Sequence, residues 1–366
     1  MRSGRRDPSG RVALRGLASR AIRTGVIRRV AFGLEGLDRL LGRNGRVLGE
    51  LPPDLPETPS DCTLLAVVAN WRGSGLTEAE PLLSCLRGLL AMDVRRTEVV
   101  IVTDRDEAAH AELLGWLATG MIPQCDVVRG PWIRPGTARR TVVVERWRPR
   151  RPYRHGFYLT WEHKRIFRRV ARTGSFTRLL YLEDDIAFSE TNLAYWLTAR
   201  RTLHARGLLP GYVRFEWKDG VQMLSDQARP GQHVDGGPNL DIPGVGQRTV
   251  RVSRRAYQAL VLLDAPLLDQ HLERSNTRTP LRSNVLRWGV RERACAGEIF
   301  APTENLLAAI LRPGNAPRPR SRHAVLIESD AQGGRHLDAG ALVEHLRPTA
   351  SLDPRSKLGT VPVAQF

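Results

Sequence analysis

Arg178–Phe188 reads RLLYLEDDIAF. Leu179, Leu180 and Leu182 lead straight into Glu183, Asp184 and Asp185, and apolar character resumes at Ile186. An apolar run without alternation predicts a β-strand covered on both faces. Adjacent carboxylates repel, and burial raises the pKa of each, so a buried strand gains nothing structural by ending in three acids. In extended geometry Glu183 and Asp185 point one way and Asp184 the other. A divalent cation relieves the repulsion. Hard oxygen ligands suit Mg²⁺ or Mn²⁺, whose shell is completed by water and substrate phosphates. The stretch predicts a metal–diphosphate site. The competing account is a solvated turn, with Asp184 paired to one of the many arginines.

The surrounding pattern alternates strands and helices. CTLLAVVAN (62–70) and TEVVIVTD (97–104) predict strands, each followed by a helix, over Glu78–Met92 and Glu107–Leu117. DVVRG and TVVVERW are further strands, and YLTWEHKRIFRRVARTG predicts an amphipathic helix closed by Gly174. Ser189 is placed to cap the helix ETNLAYWLTARRTLHARG. Such alternation indicates an α/β fold, a Rossmann-type mixed sheet with helices on both faces. Ligands of these sheets sit beyond the carboxyl ends of the strands, which points to Asn70–Arg72, Asp104 and Glu183–Asp185. Later stretches read differently. Lys218–Gln247 predicts a loop, RTVRVSRRAYQALVLLD a strand leading into a helix, the stretch to Phe300 more loop, and TENLLAAILR a short helix.

These parts, in this order, resemble the GT-A glycosyltransferases, and within them the N-acetylglucosaminyltransferase I type, which carries an EDD version of the DxD motif. LLAVVANWR, VVIVTD, LLYLEDDIAF and FEWKDG carry the likeness, which covers about residues 62–220. The resemblance implies a GT-A-like fold and a metal-dependent transfer of sugar from a nucleoside diphosphate, with uridine diphosphate favoured, to a hydroxyl acceptor, as in polysaccharide biosynthesis. It implies Mn²⁺ or Mg²⁺ coordinated by Asp185. Glu183 and Asp184 would then contact the ribose or the metal's water shell, Asp104 the base, and Asn70 and Arg72 the nucleotide pocket. An inverting enzyme also needs a base for the acceptor hydroxyl. Glu298 in ACAGEIF is the preferred candidate, with Glu292, Asp235 and Asp241 behind it. His323 in SRHAVLIESD is the candidate late metal ligand, followed by His336. Trp217 is placed to stack on an acceptor sugar. Nucleotidyl transfer on a similar sheet is the alternative enzyme, and NWRGSG is only a faint echo of its phosphate loop. A basic nucleic-acid- or membrane-binding protein is the non-enzymatic alternative.

The chain has 366 residues and a formal charge of +18, enough length for one large domain. Lysine occurs only at Lys164, Lys218 and Lys357, so the positive charge is almost all arginine. That skew suits a GC-rich coding sequence, and no aromatic–basic motif points to a specific nucleic acid. Four scattered cysteines without a CxxC pair argue against a zinc knuckle and for a reducing compartment. With neither a spanning apolar segment nor a signal peptide, the expectation is a cytoplasmic protein. Residues 1–48 combine Leu14, Leu17, Ile27, Val30, Leu34, Leu37 and Leu41 with arginines. They predict a basic, amphipathic helical extension suited to peripheral contact with the inner membrane face, weakened by four interior glycines. Residues 49–61 read as a linker, 62–220 as the nucleotide-sugar half, 221–347 as the acceptor half and 348–366 as a frayed tail.

Overall fold

In a computed structural model of the chain, the described residues are 51, 55–71, 80–104, 107–148, 156–204, 209–218, 221–224, 234–242, 246–253, 259–273, 290–295, 324–329, 336–337, 341–346 and 361–362. The N-terminal extension, the helix expected over TENLLAAILR, Arg72, Glu298 and His323 lie outside them.

The main sheet has six strands. They are β1 (Thr63–Asn70), β2 (Arg96–Thr103), β3 (Asp126–Arg129), β4 (Arg140–Arg146), β5 (Arg178–Glu183) and β12 (Leu260–Leu263), in the order β12-β5-β1-β2-β4-β3. All pairings are parallel except β12 on β5. Seven of eight residues in β1 and in β2, and all six in β5, are buried, which only a sheet covered on both faces produces. Helices α1 (Glu80–Ala91), α2 (Glu107–Ala118), α3 (Glu162–Val170), α4 (Glu190–His204), α5 (Ala265–Glu273) and α6 (Val290–Cys295) accompany the strands. α1 packs on α4, and α3 packs on β1 and α5. The expected α/β class therefore holds.

β6 (Ile186–Ala187), β8 (Val213–Lys218), β9 (Val221–Leu224), β15 (Leu342–His345) and β16 (Val361–Pro362) build a second sheet in the order β16-β9-β8-β15-β6. A third joins β7 (Leu209–Pro210), β10 (Val234–Ile242), β11 (Gly246–Ser253), β13 (Ala324–Ser329) and β14 (His336–Leu337).

Several local expectations change. Leu260–Leu263, read as the end of a helix, is strand β12, because four apolar residues can pair antiparallel with buried β5. Lys218–Gln247 contains β9, all of β10 and the start of β11, not only loop, since polar and glycine-rich strands give no apolar signal. α5 and α6 interrupt the next supposed loop, and Val361–Pro362 of the supposed frayed tail pairs with β9. The triplet itself is not extended. Glu183 ends β5, while Asp184 and Asp185 form a turn before β6. At the start of α4, the Ser189 hydroxyl and amide both donate to Asn192 Oδ1, each at 2.9 Å. Ser189 is thus tied to the third helical residue, and its carbonyl accepts from the Leu193 amide at 3.1 Å, as at an N-cap position. Gly174, at φ +61°, closes α3 with its amide on the Val170 carbonyl.

Gly88 of α1 marks a close approach. A Cβ there would stand 2.6 Å from the Phe188 carbonyl oxygen, a backbone atom held by the turn into α4. Alanine favours helix, yet Gly88→Ala is expected to lower stability by about 1–3 kcal/mol through overpacking. Urea denaturation measures it, and a stabilised variant would contradict the contact.

His163 of α3 and His271 of α5 are both fully buried, their Nε2 atoms 2.9 Å apart. The Thr160 carbonyl can only accept, so His163 Nδ1 carries the proton and His163 Nε2 is the acceptor. His271 Nε2–H is then the donor, and the pair is neutral. Burial, and next the charge of Lys164, push both imidazoles well below the ordinary 6.5. A depressed pKa means that the unfolded chain takes up protons which the folded chain refuses. The pair is therefore harmless above about pH 6.5 and increasingly costly below it, by up to about 1.4 kcal/mol per pH unit per histidine. Melting from pH 8 to pH 5 should show a steeper loss in the wild type than in His163→Phe/His271→Leu. Parallel curves would contradict the assignment.

Candidate functional site

The register places the site. Asn70 ends β1 beside Thr103 of β2, and Ala69 lies beside Glu183 of β5. β5 and β2 flank β1 on opposite sides, the kind of switch point at which open α/β sheets form a ligand crevice beyond the carboxyl ends of their strands, here those of β1 and β5. Asn70 is buried and spans it. Its Oδ1 accepts from Thr103 Oγ1 at 2.8 Å, and its Nδ2 donates to Asp184 Oδ2. Three strand ends are thereby tied through one amide, whose orientation the threonine fixes. Asn70 orients an acid, a role that its strand-end position alone did not reveal. Asp104 follows Thr103 at the same edge.

Each acid of the triplet has its own partner. Glu183 is buried. Its amide donates to the Ala259 carbonyl at 2.9 Å, and its Oε2 accepts from Arg291 Nη1 at 2.9 Å. Ala259 holds a left-handed backbone at φ +56° to make that contact, a conformation costly for a residue with a Cβ. Asp184 turns to Asn70. Asp185 Oδ2 accepts from His345 Nε2 at 3.1 Å, while its carbonyl accepts from the Leu346 amide at 2.7 Å.

His345 is the residue that sequence reasoning missed. β15 lies between β6 and β8 and brings it in: Glu344 pairs with both Ala187 and Phe215, and His345 with Ile186. Asn192 Nδ2 fixes the strand through the Leu342 carbonyl at 2.8 Å. On the other side of the imidazole, Glu216 Oε2 of β8 stands 3.8 Å from His345 Nδ1. The turn before β6, β15 and β8 thus line up two carboxylates around one imidazole. No local signal marks LVEHL, because its partners stand more than a hundred residues away in sequence.

The two aspartates are driven apart in acidity. Burial, then the neighbouring Asp185 charge, hold the Asp184 carboxyl well above its ordinary range. Burial also pushes Asp185 upward, but the His345 hydrogen bond and the charges of His345, Arg214 and Arg291 outweigh it and leave Asp185 low. A proton entering the pair settles on Asp184, and Asp185 keeps the negative charge.

Among the described residues, no group of three or more histidine, cysteine, aspartate or glutamate side chains is arranged to hold a metal ion. Asp185 Oδ1 is buried and has no hydrogen-bond partner. A buried carboxylate oxygen without a hydrogen-bond partner fits a cation that arrives with phosphates and keeps most of its other ligands.

Trp71 follows Asn70, and Phe157 meets it edge-on at 5.9 Å. Gly156 permits this, since a Cβ there would meet the Trp71 ring at 2.0 Å. Arg291 lies over the Phe157 ring, 4.9 Å from its centre. Trp217 is exposed on β8, whereas Trp161 and Trp196 are core residues. Asp235 and Asp241 lie in strand β10, not in a loop, and Glu292 lies on α6. His336 pairs with Ser329 in β14.

No helix among the described residues is long and apolar enough to cross a membrane. No protein-family model and no curated protein matches the sequence. Solved structures do match, among them the inositol-1-phosphate CTP transferase from T. maritima, at 11% identity over 60% of this chain and 76% of that one, with a TM-score of 0.28. A likeness that loose carries no argument about chemistry, and the functional reading stands on the crevice itself.

Proposed function

We propose that the chain is a transferase acting on a nucleoside-diphosphate-linked donor, and more finely a glycosyltransferase that moves a sugar to a hydroxyl acceptor with Mn²⁺ or Mg²⁺. The observation that carries it is Asp185, just past the carboxyl end of β5, with one carboxylate oxygen held by His345 and the other buried without a hydrogen-bond partner. Bound there, the cation would supply charge stabilisation to the departing diphosphate. The protein's own residues do the rest. Asn70 keeps Asp184 facing inward, and the raised pKa of Asp184, caused first by burial, favours the protonated carboxyl, which can donate a hydrogen bond to a ligand oxygen. Asp104 at the end of β2 is the proposed contact for the base. Arg72 and Glu298 keep the roles that the family resemblance implies, nucleotide contact and acceptor base, and Trp217 is the proposed platform for the acceptor sugar.

The test is product analysis across a panel of uridine-, guanosine- and cytidine-diphosphate sugars with and without Mn²⁺. Release of nucleoside diphosphate supports sugar transfer. Release of pyrophosphate from a nucleoside triphosphate would replace it by nucleotidyl transfer in the same crevice. Release of neither would overturn the transferase reading.

A further inference from the structure

We propose that Arg291 is a phosphate-binding residue of this crevice and that Glu183 is its positioning residue, not a contact for the cation or the ribose. This deepens the reading of the crevice as a diphosphate site and rests on it.

The geometry presents a guanidinium from a fixed base. α6 packs against the 3₁₀ turn Gly156–Trp161, and its Ala294 and Cys295 are fully buried. Arg291 stands one helical turn before Cys295, on the same side of the helix, so its stem starts from an anchored backbone. Phe157 backs the guanidinium plane, and Glu183 Oε2 holds Nη1 at 2.9 Å. The pair is lopsided. The Glu183 side chain is 9% exposed and that of Arg291 41%. The carboxylate is the buried support, and the guanidinium carries its charge out to solvent at the crevice. Its charge also reaches Asp185 and helps to hold that acid ionised. Arg291 therefore acts on both ends of the triplet, on Glu183 by a hydrogen bond and on Asp185 by its charge.

A diphosphate brought in by a cation on Asp185 would enter a crevice whose strand end carries three carboxylates. Without a fixed cation, like charges would meet. A guanidinium answers this because it is always charged and offers several donors in one plane. It can keep Glu183 on one edge while the exposed edge takes phosphate oxygens, as charge-assisted hydrogen bonds at paired donors allow. The reverse arrangement, with Glu183 turned to a cation, would break the hydrogen bond that the carboxylate accepts from Arg291 Nη1, a loss that falls chiefly on the buried partner.

The experiment is calorimetric titration of inorganic pyrophosphate with Mn²⁺ into the full chain and five variants. Arg291→Ala should weaken binding by about tenfold or more, and Arg291→Lys should recover only part, because a point charge lacks the planar donors. Arg291→Gln checks the result if the alanine variant folds poorly by circular dichroism. Glu183→Gln should weaken binding by a smaller factor in the wild-type background and by none in the Arg291→Ala background, since it acts only through the arginine. Equal weakening by Glu183→Gln in both backgrounds would give Glu183 a direct role and overturn the positioning claim. Unchanged affinity in Arg291→Ala and Arg291→Gln would overturn the phosphate role alone. If the wild type binds no pyrophosphate with Mn²⁺, the diphosphate reading of the crevice falls, and this proposal falls with it.

Discussion

Asp185→Asn is expected to lower turnover of the donor by about 10²–10³-fold, the range seen when one pre-set stabiliser of developing charge is removed. The substitution keeps size and shape, removes the charge that would hold a cation, and leaves His345 facing an amide. Because the Asp185 side chain is only partly buried, the fold should survive, with a melting curve close to the wild type. Asp184→Asn should cost less, since its environment already favours the uncharged carboxyl. Steady-state rates at several Mn²⁺ concentrations separate the two. Loss of rate in Asp185→Asn that excess Mn²⁺ restores would place the effect in cation affinity, whereas a rate within about threefold of wild type would remove Asp185 from the mechanism.

The largest expected effect on stability lies elsewhere. Arg200 of α4 and Asp264, between β12 and α5, form an ion pair at 2.8 Å with both side chains fully buried. Asp264 also caps α5: its Oδ1 accepts from the Leu267 amide at 3.0 Å, and its carbonyl from that of Leu268 at 2.8 Å. Arg200 Nη1 stands 3.0 Å from His204 Nδ1. Asp264→Ala would strand a guanidinium in the core and remove a cap, for a loss of about 3–5 kcal/mol. Arg200→Met/Asp264→Ser restores the cap and removes the buried charge, so it should recover much of that loss. Urea denaturation at pH 7 decides. A single substitution costing under about 1 kcal/mol would show that the pair is not desolvated as the geometry implies.

The sequence made the parallel core legible because its strands are buried on both faces, and VVIV or LLAVV admits few other readings. The helix over EHKRIFRRV was legible from period, and Gly174 from the turn it closes. Asn70, Asp104 and the acid triplet could be placed at strand ends by rule, and the structure puts them there. Partners were another matter. That Asn70 would face Asp184, Glu183 an arginine and Asp185 a histidine depends on pairings across the chain. β12, β15 and α6 are short elements with no periodic signature of their own. Among the described residues a late histidine, His345, stands beside Asp185; it carries no local mark in a strand of four residues, and His323, which the sequence favoured, lies outside those residues.

The passage from the first sheet to the second has one further consequence. Glu183 closes β5 and Ile186 opens β6, so the backbone changes sheets within two residues, both of them acidic. Such a seam has no slack. One inserted residue would invert the facing of everything beyond it, carrying buried Ile186 outward and pulling Asp185 off its imidazole. Any lineage that keeps this chemistry must then hold the spacing fixed here as well as the acids.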